Sequence, residues 1–177
     1  MGGAAAVILE DLRFRVPLVL VTAMVVHSAV LSQIRFFGVM PELMLLLAVA
    51  AGLEAGPAYG AVAGFLTGMI ADLFVPTPLG LSALVYSLTG YMTGVTKAGL
   101  LEAAWWFPMA VAFVASSAGT GLFALAGSML GEKSMLGLHV AVVMLVVGIL
   151  NALLALPVLR VVRWALVARP PLSAYAE

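Results

Sequence analysis

The chain has 177 residues, of which 64% are hydrophobic and 9% are charged, and its formal net charge is zero. A soluble domain carries about a quarter charged residues, so this composition excludes a fold surrounded by water. With zero net charge, the chain lacks the excess of positive charge that nucleic-acid-binding proteins carry. The lack of cysteine excludes disulfides, thiol nucleophiles and thiolate metal sites. Because a bilayer-crossing helix needs about 20 apolar residues, the composition predicts an all-α integral membrane protein of about six transmembrane helices in the lipid bilayer.

Six apolar segments follow one another along the chain and are predicted to be these spans. The second is too short for a full crossing unless it recruits flanking residues. Pro76 and Pro78 are expected to end the third helix, because each disfavours helical backbone in the residue before it. Pro157 is expected to kink the sixth helix. The predicted spans are residues 16–34, 43–53, 57–75, 79–96, 103–130 and 135–162.

The basic residues predict the orientation of the spans. Six spans place both chain ends on one side of the membrane, with Arg13, Arg15, Lys97, Arg160, Arg163 and Arg169; Arg35 and Lys133 fall on the other side. Cytoplasmic segments carry the excess of lysine and arginine, so both termini are predicted to be cytoplasmic. We therefore expect a cytoplasmic segment at 1–15, a transmembrane domain at 16–165, and a cytoplasmic, disordered tail at 166–177.

Glycines recur every four residues in and just before the third span, at Gly56, Gly60, Gly64 and Gly68, and Asp72 continues the series. This spacing places them on one stripe of a helix, where small residues let another backbone approach closely. We interpret the stripe as an internal packing surface, with a partner-protein interface as the alternative. Further small residues at similar spacing are Gly90 and Gly94 in the fourth span, and Ala115, Gly119, Gly127 and Gly131 in the fifth.

Two carboxylates stand out among the apolar segments. Asp72 is expected to satisfy the backbone of the turn at 77–80 or to pair with Arg35, and the alternative is a proton or substrate relay. Glu42 lies at the start of the second span, where a carboxylate complements the helix dipole and can cap the helix. A contact between Glu42 and a periplasmic or membrane partner is the alternative.

The remaining polar residues indicate no chemistry. His27 and His139 are isolated and are expected to be neutral, hydrogen-bonded side chains rather than metal ligands. Asn151 is expected to hydrogen-bond across a helix interface. The sequence holds no paired carboxylates at catalytic spacing and no phosphate-binding glycine loop, and the Ser116-Ser117 pair has no base beside it. We therefore predict no enzymatic activity, no cofactor and no metal.

The stretch from residue 40 to residue 94 carries an ordered series of motifs. Pro41-Glu42-Leu43 opens a leucine-rich helix, and a helix of spaced glycines then ends in Asp72-Leu73. Pro78-Leu79-Gly80 leads into a helix that contains Gly90-Tyr91 and Gly94. In this order and spacing the stretch resembles the MreD family of rod shape-determining proteins. The positions that match the family's pattern are Pro41, Glu42, Gly64, Gly68, Asp72, Pro78, Gly80, Gly90 and Tyr91; Gly60 and Gly94 complete the set of candidate partner-binding or structural residues.

The resemblance implies a role in cell shape and lateral peptidoglycan synthesis, in the bacterial cytoplasmic membrane and without catalysis. It implies a partner similar to MreC, a periplasmic coiled-coil protein with one membrane helix. Proximity to MreB and to the synthase of RodA and a class B penicillin-binding protein is also implied. In fold, the family resembles the six-helix substrate-capture subunits of energy-coupling factor (ECF) transporters.

Two other functions remain as alternatives from the sequence. One is the substrate-binding subunit of an ECF-type vitamin or metal transporter, and the other is a lipid-handling protein. The transporter alternative would depend on the few polar residues expected near the outer membrane surface, which are Glu42, Asp72, Thr77, Ser82 and Tyr86. The lipid-handling alternative would depend on the two carboxylates alone. The sequence leaves open whether the chain forms homo-oligomers.

Overall fold

The computed structural model describes residues 2–27, 29, 39–74, 78–99, 106–129 and 138–166, with side chains from residue 14 onward except at 97–99 and 138. Within these residues the chain forms six α-helices. They are α1 (Gly2–Val26), α2 (Leu43–Ala55), α3 (Pro57–Asp72), α4 (Leu81–Gly99), α5 (Phe107–Met129) and α6 (Leu138–Leu166). Their number and order confirm the prediction of an all-helical chain.

The first helix differs most from its predicted position. It begins at Gly2 rather than near Val16, so most of the predicted N-terminal segment is helical. The predicted start near Val16 marks the point where the sequence becomes apolar. The residues before it include alanines at 4–6 and charged side chains, and both kinds of residue are compatible with helical backbone. The other helices lie within a few residues of the predicted spans. The turn at Pro76, the loop at 131–134, Arg35 and the tail beyond residue 166 fall outside the described residues.

Two of the described helices are long and apolar enough to cross a membrane: Phe107–Met129 and His139–Leu166. Phe14–Val26 and Leu43–Ala55 are apolar but shorter. The structure therefore shows six helices of a kind that fits a helical membrane protein, and the number of spans stays a prediction.

The second helix, α2, lies at the centre of the bundle. It contacts each of the other helices, and its residues from Leu43 to Leu53 are all buried. A helix that is apolar on every side is stable only when it is enclosed. The remaining helices surround it: α3 packs mainly on α4, α5 packs mainly on α6, and α1 lies at the periphery against α6 and α2.

Three glycines from three helices meet at one point of this core. A Cβ atom built on Gly60 would lie 2.2 Å from the Gly90 carbonyl oxygen and 2.8 Å from the Gly52 Cα atom. A Cβ atom on Gly52 would lie 2.3 Å from the same Gly90 oxygen. Any side chain at these positions would overlap backbone, so the α2, α3 and α4 backbones approach this closely only because all three residues are glycine. We call this contact the glycine junction.

The α3–α4 contact extends from the glycine junction in both directions. A Cβ atom on Gly64 would lie 2.3 Å from the Tyr86 carbonyl oxygen, and one on Gly68 would lie 2.4 Å from the Ala83 Cα atom. At the other end, a Cβ atom on Gly94 would lie 2.4 Å from the Pro57 nitrogen. The two helices are therefore antiparallel. The stripe of glycines on α3 lies against α4, as the interpretation of an internal packing surface expects.

Charged and aromatic groups join the helices at the end of the bundle where α2 ends. The Arg163 guanidinium of α6 donates to both oxygens of Glu54 on α2, at 2.8 and 3.0 Å. Arg15 of α1 lies over the Trp164 ring, 5.1 Å from its centroid. Arg15 and Arg163 thus lie at the same end of the bundle.

Substituting Gly64 tests the close approach of α3 to α4. Gly64→Ala places a methyl group against α4 backbone, and we expect it to lower stability by about 1–3 kcal/mol despite the better helix propensity of alanine. Gly121→Ala is the matched control, because its methyl group would meet only the flexible end of Met144, at 2.8 Å. Thermal unfolding of the purified chain in detergent measures both; equal melting temperatures for the two variants would contradict the packing described here.

Candidate functional site

Polar residues collect at the end of the bundle where α2 and α4 begin and α3 ends. Asp72, the last residue of α3, is 2% exposed. Its carboxylate accepts hydrogen bonds from the backbone nitrogens of Gly80 at 2.7 Å, Ser82 at 3.0 Å and Ala83 at 3.4 Å. These N–H groups belong to the first turn of α4 and the residue before it, where helical backbone has no acceptor of its own. The negative charge also complements the positive end of the α4 dipole.

The turn before α4 depends on Gly80, whose φ of 97° lies in the left-handed region that glycine adopts readily. This conformation directs the Gly80 N–H toward Asp72. Asp72 thus accepts hydrogen bonds from the backbone N–H groups just before and at the start of α4. The sequence-based interpretation that Asp72 binds the backbone of this turn expects such bonds. Pro78 precedes the turn and is exposed.

The Glu42 side chain corrects a prediction. Glu42 occupies the N-cap position of α2, but its side chain makes no capping hydrogen bond, so the expected capping role is wrong. Instead the Tyr86 hydroxyl of α4 donates to the Glu42 carboxylate. The carboxylate therefore turns away from its own helix and joins α2 to α4.

Asn151 holds the start of α2 from the opposite side. This fully buried residue of α6 accepts a hydrogen bond from the Glu42 backbone nitrogen at 3.1 Å and donates to the Glu42 carbonyl oxygen at 3.2 Å. It also donates to the Ser116 hydroxyl of α5 at 2.9 Å. Asn151 therefore joins α6 to α5 and to the residue before α2, which confirms the predicted bond across a helix interface.

The sequence indicated Tyr86 only as a possible pocket residue of the transporter alternative, and it indicated no partner for Ser116. The signal for Tyr86 is a polar stripe on α4: Ser82, Tyr86, Thr89 and Thr93 are all buried and recur at helical spacing. Ser116 gives no comparable signal, because its partner Asn151 lies 35 positions away in the chain.

A pocket of about 290 Å³ lies beside these residues. Its polar lining comes from His27, Glu42, Ser82, Tyr86 and Thr120, which belong to or border four different helices. The His27 Nδ1 atom is buried and has no hydrogen-bond partner among the described residues. His139 is exposed. In the described part of the chain, no group of three metal-ligating side chains converges.

The other candidate residues divide into two groups. Gly60, Gly64, Gly68, Gly90 and Gly94 are buried in contacts between helices, and Pro41 is buried just before α2. Tyr91 differs from them, because 44% of it is exposed on α4 and none of the hydrogen bonds described for the chain involves it.

Substituting Asp72 tests its backbone role. Asp72→Ala would leave two buried N–H groups and one part-buried N–H group without an acceptor, so we expect a loss of at least about 2 kcal/mol of stability. Asp72→Asn keeps one oxygen and should lose less. Ser128→Ala, which removes a hydroxyl bonded to the exposed end of α5, is the control. Thermal unfolding in detergent measures all three; an Asp72→Ala protein as stable as the control would show that the carboxylate has another role.

Comparison with known families identifies the chain. A family model described as rod shape-determining protein MreD matches residues 10–164, a range that includes α2 to α5 and nearly all of α6. No curated protein and no solved structure matches, so the likeness to ECF substrate-capture subunits stays a prediction. The match favours the cell-shape role over the transporter alternative. The chain belongs to the MreD family of membrane proteins that determine rod shape.

Proposed function

We propose that this protein is a non-catalytic scaffold of the bacterial cell-elongation complex. It lies in the cytoplasmic membrane with both termini in the cytoplasm, and it supports lateral peptidoglycan synthesis by binding an MreC-like single-span protein. RodA, a class B penicillin-binding protein and MreB are further members of the same assembly. The family match over residues 10–164 carries this proposal.

The distribution of polar groups supports a scaffold. Asp72 binds backbone, and Asn151 binds Ser116 and the backbone of Glu42. These side chains hold helices together, and their hydrogen bonds leave them engaged within the bundle. A scaffold needs this rigidity, because its surface must keep one shape when it binds a partner.

The glycine stripe is not the surface we assign to the partner. Gly60, Gly64 and Gly68 contact α4 so closely that a partner helix has no access to them. These glycines do not contact the partner themselves. They affect partner binding only by holding α3 and α4 in close contact, which fixes the shape of the pair. The partner therefore binds a surface formed by outward-facing side chains.

The exposed face of α4 is the surface that we assign to the single-span partner. Tyr91 lies near the middle of α4, where a phenol hydroxyl facing lipid would lack a hydrogen-bond partner. Tyr59 is also exposed but lies near the start of α3, where a membrane interface accommodates tyrosine. Around Tyr91, the exposed residues Leu84, Leu88, Met92 and Val95 form an apolar face on which a membrane helix can pack.

Co-purification tests the proposal. The chain is co-expressed with the MreC-like protein of the same organism and purified in mild detergent. We expect near-stoichiometric recovery of the partner with the unmodified chain. We expect about ten-fold less with Tyr91→Ala, because losing an aromatic side chain at the centre of an interface typically weakens binding by about that factor. Tyr59→Ala is the matched control and should retain the partner. Both variants should keep the melting temperature of the unmodified chain.

The outcomes separate two claims. Failure of the unmodified chain to recover the partner contradicts the scaffold function itself. Normal recovery with Tyr91→Ala leaves the function in place and contradicts the assignment of the α4 surface.

A further inference from the structure

The pocket beside Glu42 differs from the other polar regions of the bundle because its polar groups are incompletely paired. The Asp72 carboxylate receives three backbone hydrogen bonds, whereas the Glu42 carboxylate receives only the Tyr86 hydroxyl within the described part of the chain. The His27 Nδ1 atom in the same pocket has no partner among the described residues. Leaving a buried atom such as His27 Nδ1 unpaired costs free energy, and a ligand that pairs with it recovers that cost.

We infer that this pocket binds the ammonium group of a small amine. Glu42 is the only charged residue among the described residues that line it, and none of these is lysine or arginine. The pocket therefore favours a cation and disfavours an anion. This inference goes beyond the scaffold function, because that function needs no small ligand.

The hydrogen-bonding chemistry favours an ammonium group over other cations. An ammonium ion has three N–H donors and no acceptor, as in lysine. The pocket offers potential acceptors of three kinds: the Glu42 oxygen that Tyr86 does not contact, the unpaired Nδ1 atom of His27, and the hydroxyl oxygens of Ser82 and Thr120. A metal ion would need several converging ligands, and the described residues supply no such group.

The rest of the pocket fits an apolar body attached to the amine. Leu45, Phe123, Val143 and Val147 also line it. Its volume of about 290 Å³ lies at the lower end of the range for small-molecule sites, about 300–1,000 Å³. A single aromatic ring or a short alkyl chain with one amine is therefore the expected ligand class.

Benzylamine and benzyl alcohol test this inference, because they have the same shape and differ in charge and donor number. Their affinities for the purified full-length protein in detergent are measured by ligand-observed NMR. We expect benzylamine to bind about ten-fold more tightly than benzyl alcohol, as one charge-assisted hydrogen bond provides. Since both probes are compared on the same protein, differences in stability between variants cancel.

Two variants locate the effect. Glu42→Gln keeps the size of the side chain and an acceptor for Tyr86, and should abolish the ten-fold preference. Glu54→Gln removes a carboxylate at the opposite end of the bundle and should leave the preference unchanged. Equal affinity of the two probes for the unmodified protein, or a preference that survives Glu42→Gln, would overturn the inference. Neither result bears on recovery of the single-span partner, so the scaffold function is tested separately.

Discussion

The close approach of three backbones at Gly52, Gly60 and Gly90 is the contact on which the bundle depends. Lipid gives helices no hydrophobic reason to associate, so close packing of backbone and weak Cα–H···O contacts must hold them together. The glycine junction provides this packing where α2, α3 and α4 meet. It lets the short, apolar α2 be enclosed on every side, and the buried α2 then contacts every other helix.

Enclosing α2 creates a second requirement, because the starts of buried helices carry backbone groups without helical partners. Asn151 binds the backbone of Glu42 before α2, and Asp72 binds the backbone N–H groups at the start of α4. With its backbone held by Asn151, Glu42 directs its carboxylate to Tyr86 rather than to its own helix. The pocket with its partly unpaired polar groups follows from this arrangement.

Local sequence patterns predicted much of this fold. Hydropathy located five of the six helices closely, and the four-residue spacing identified the α3 stripe and Asp72 as its continuation. Contacts between distant positions were not predictable: Tyr86 and Glu42 are 44 positions apart, and Asn151 and Glu42 are 109 apart. Gly52 continues the same four-residue series one step before Gly56, but it lies on α2, so spacing along the chain did not indicate that it meets Gly60 and Gly90. The start of α1 was misplaced because hydropathy marks where a segment becomes apolar, not where a helix begins.

A double-mutant cycle on Gly60→Ala and Gly90→Ala tests the glycine junction most directly. Each added methyl group would strike the backbone of the other glycine, so the first substitution must already separate α3 from α4. The account predicts that each single variant lowers the unfolding free energy of the isolated chain in detergent, and that the double variant loses less than the sum, with a coupling of about 0.5–3 kcal/mol. Small, additive losses would show that the three helices do not meet at these glycines.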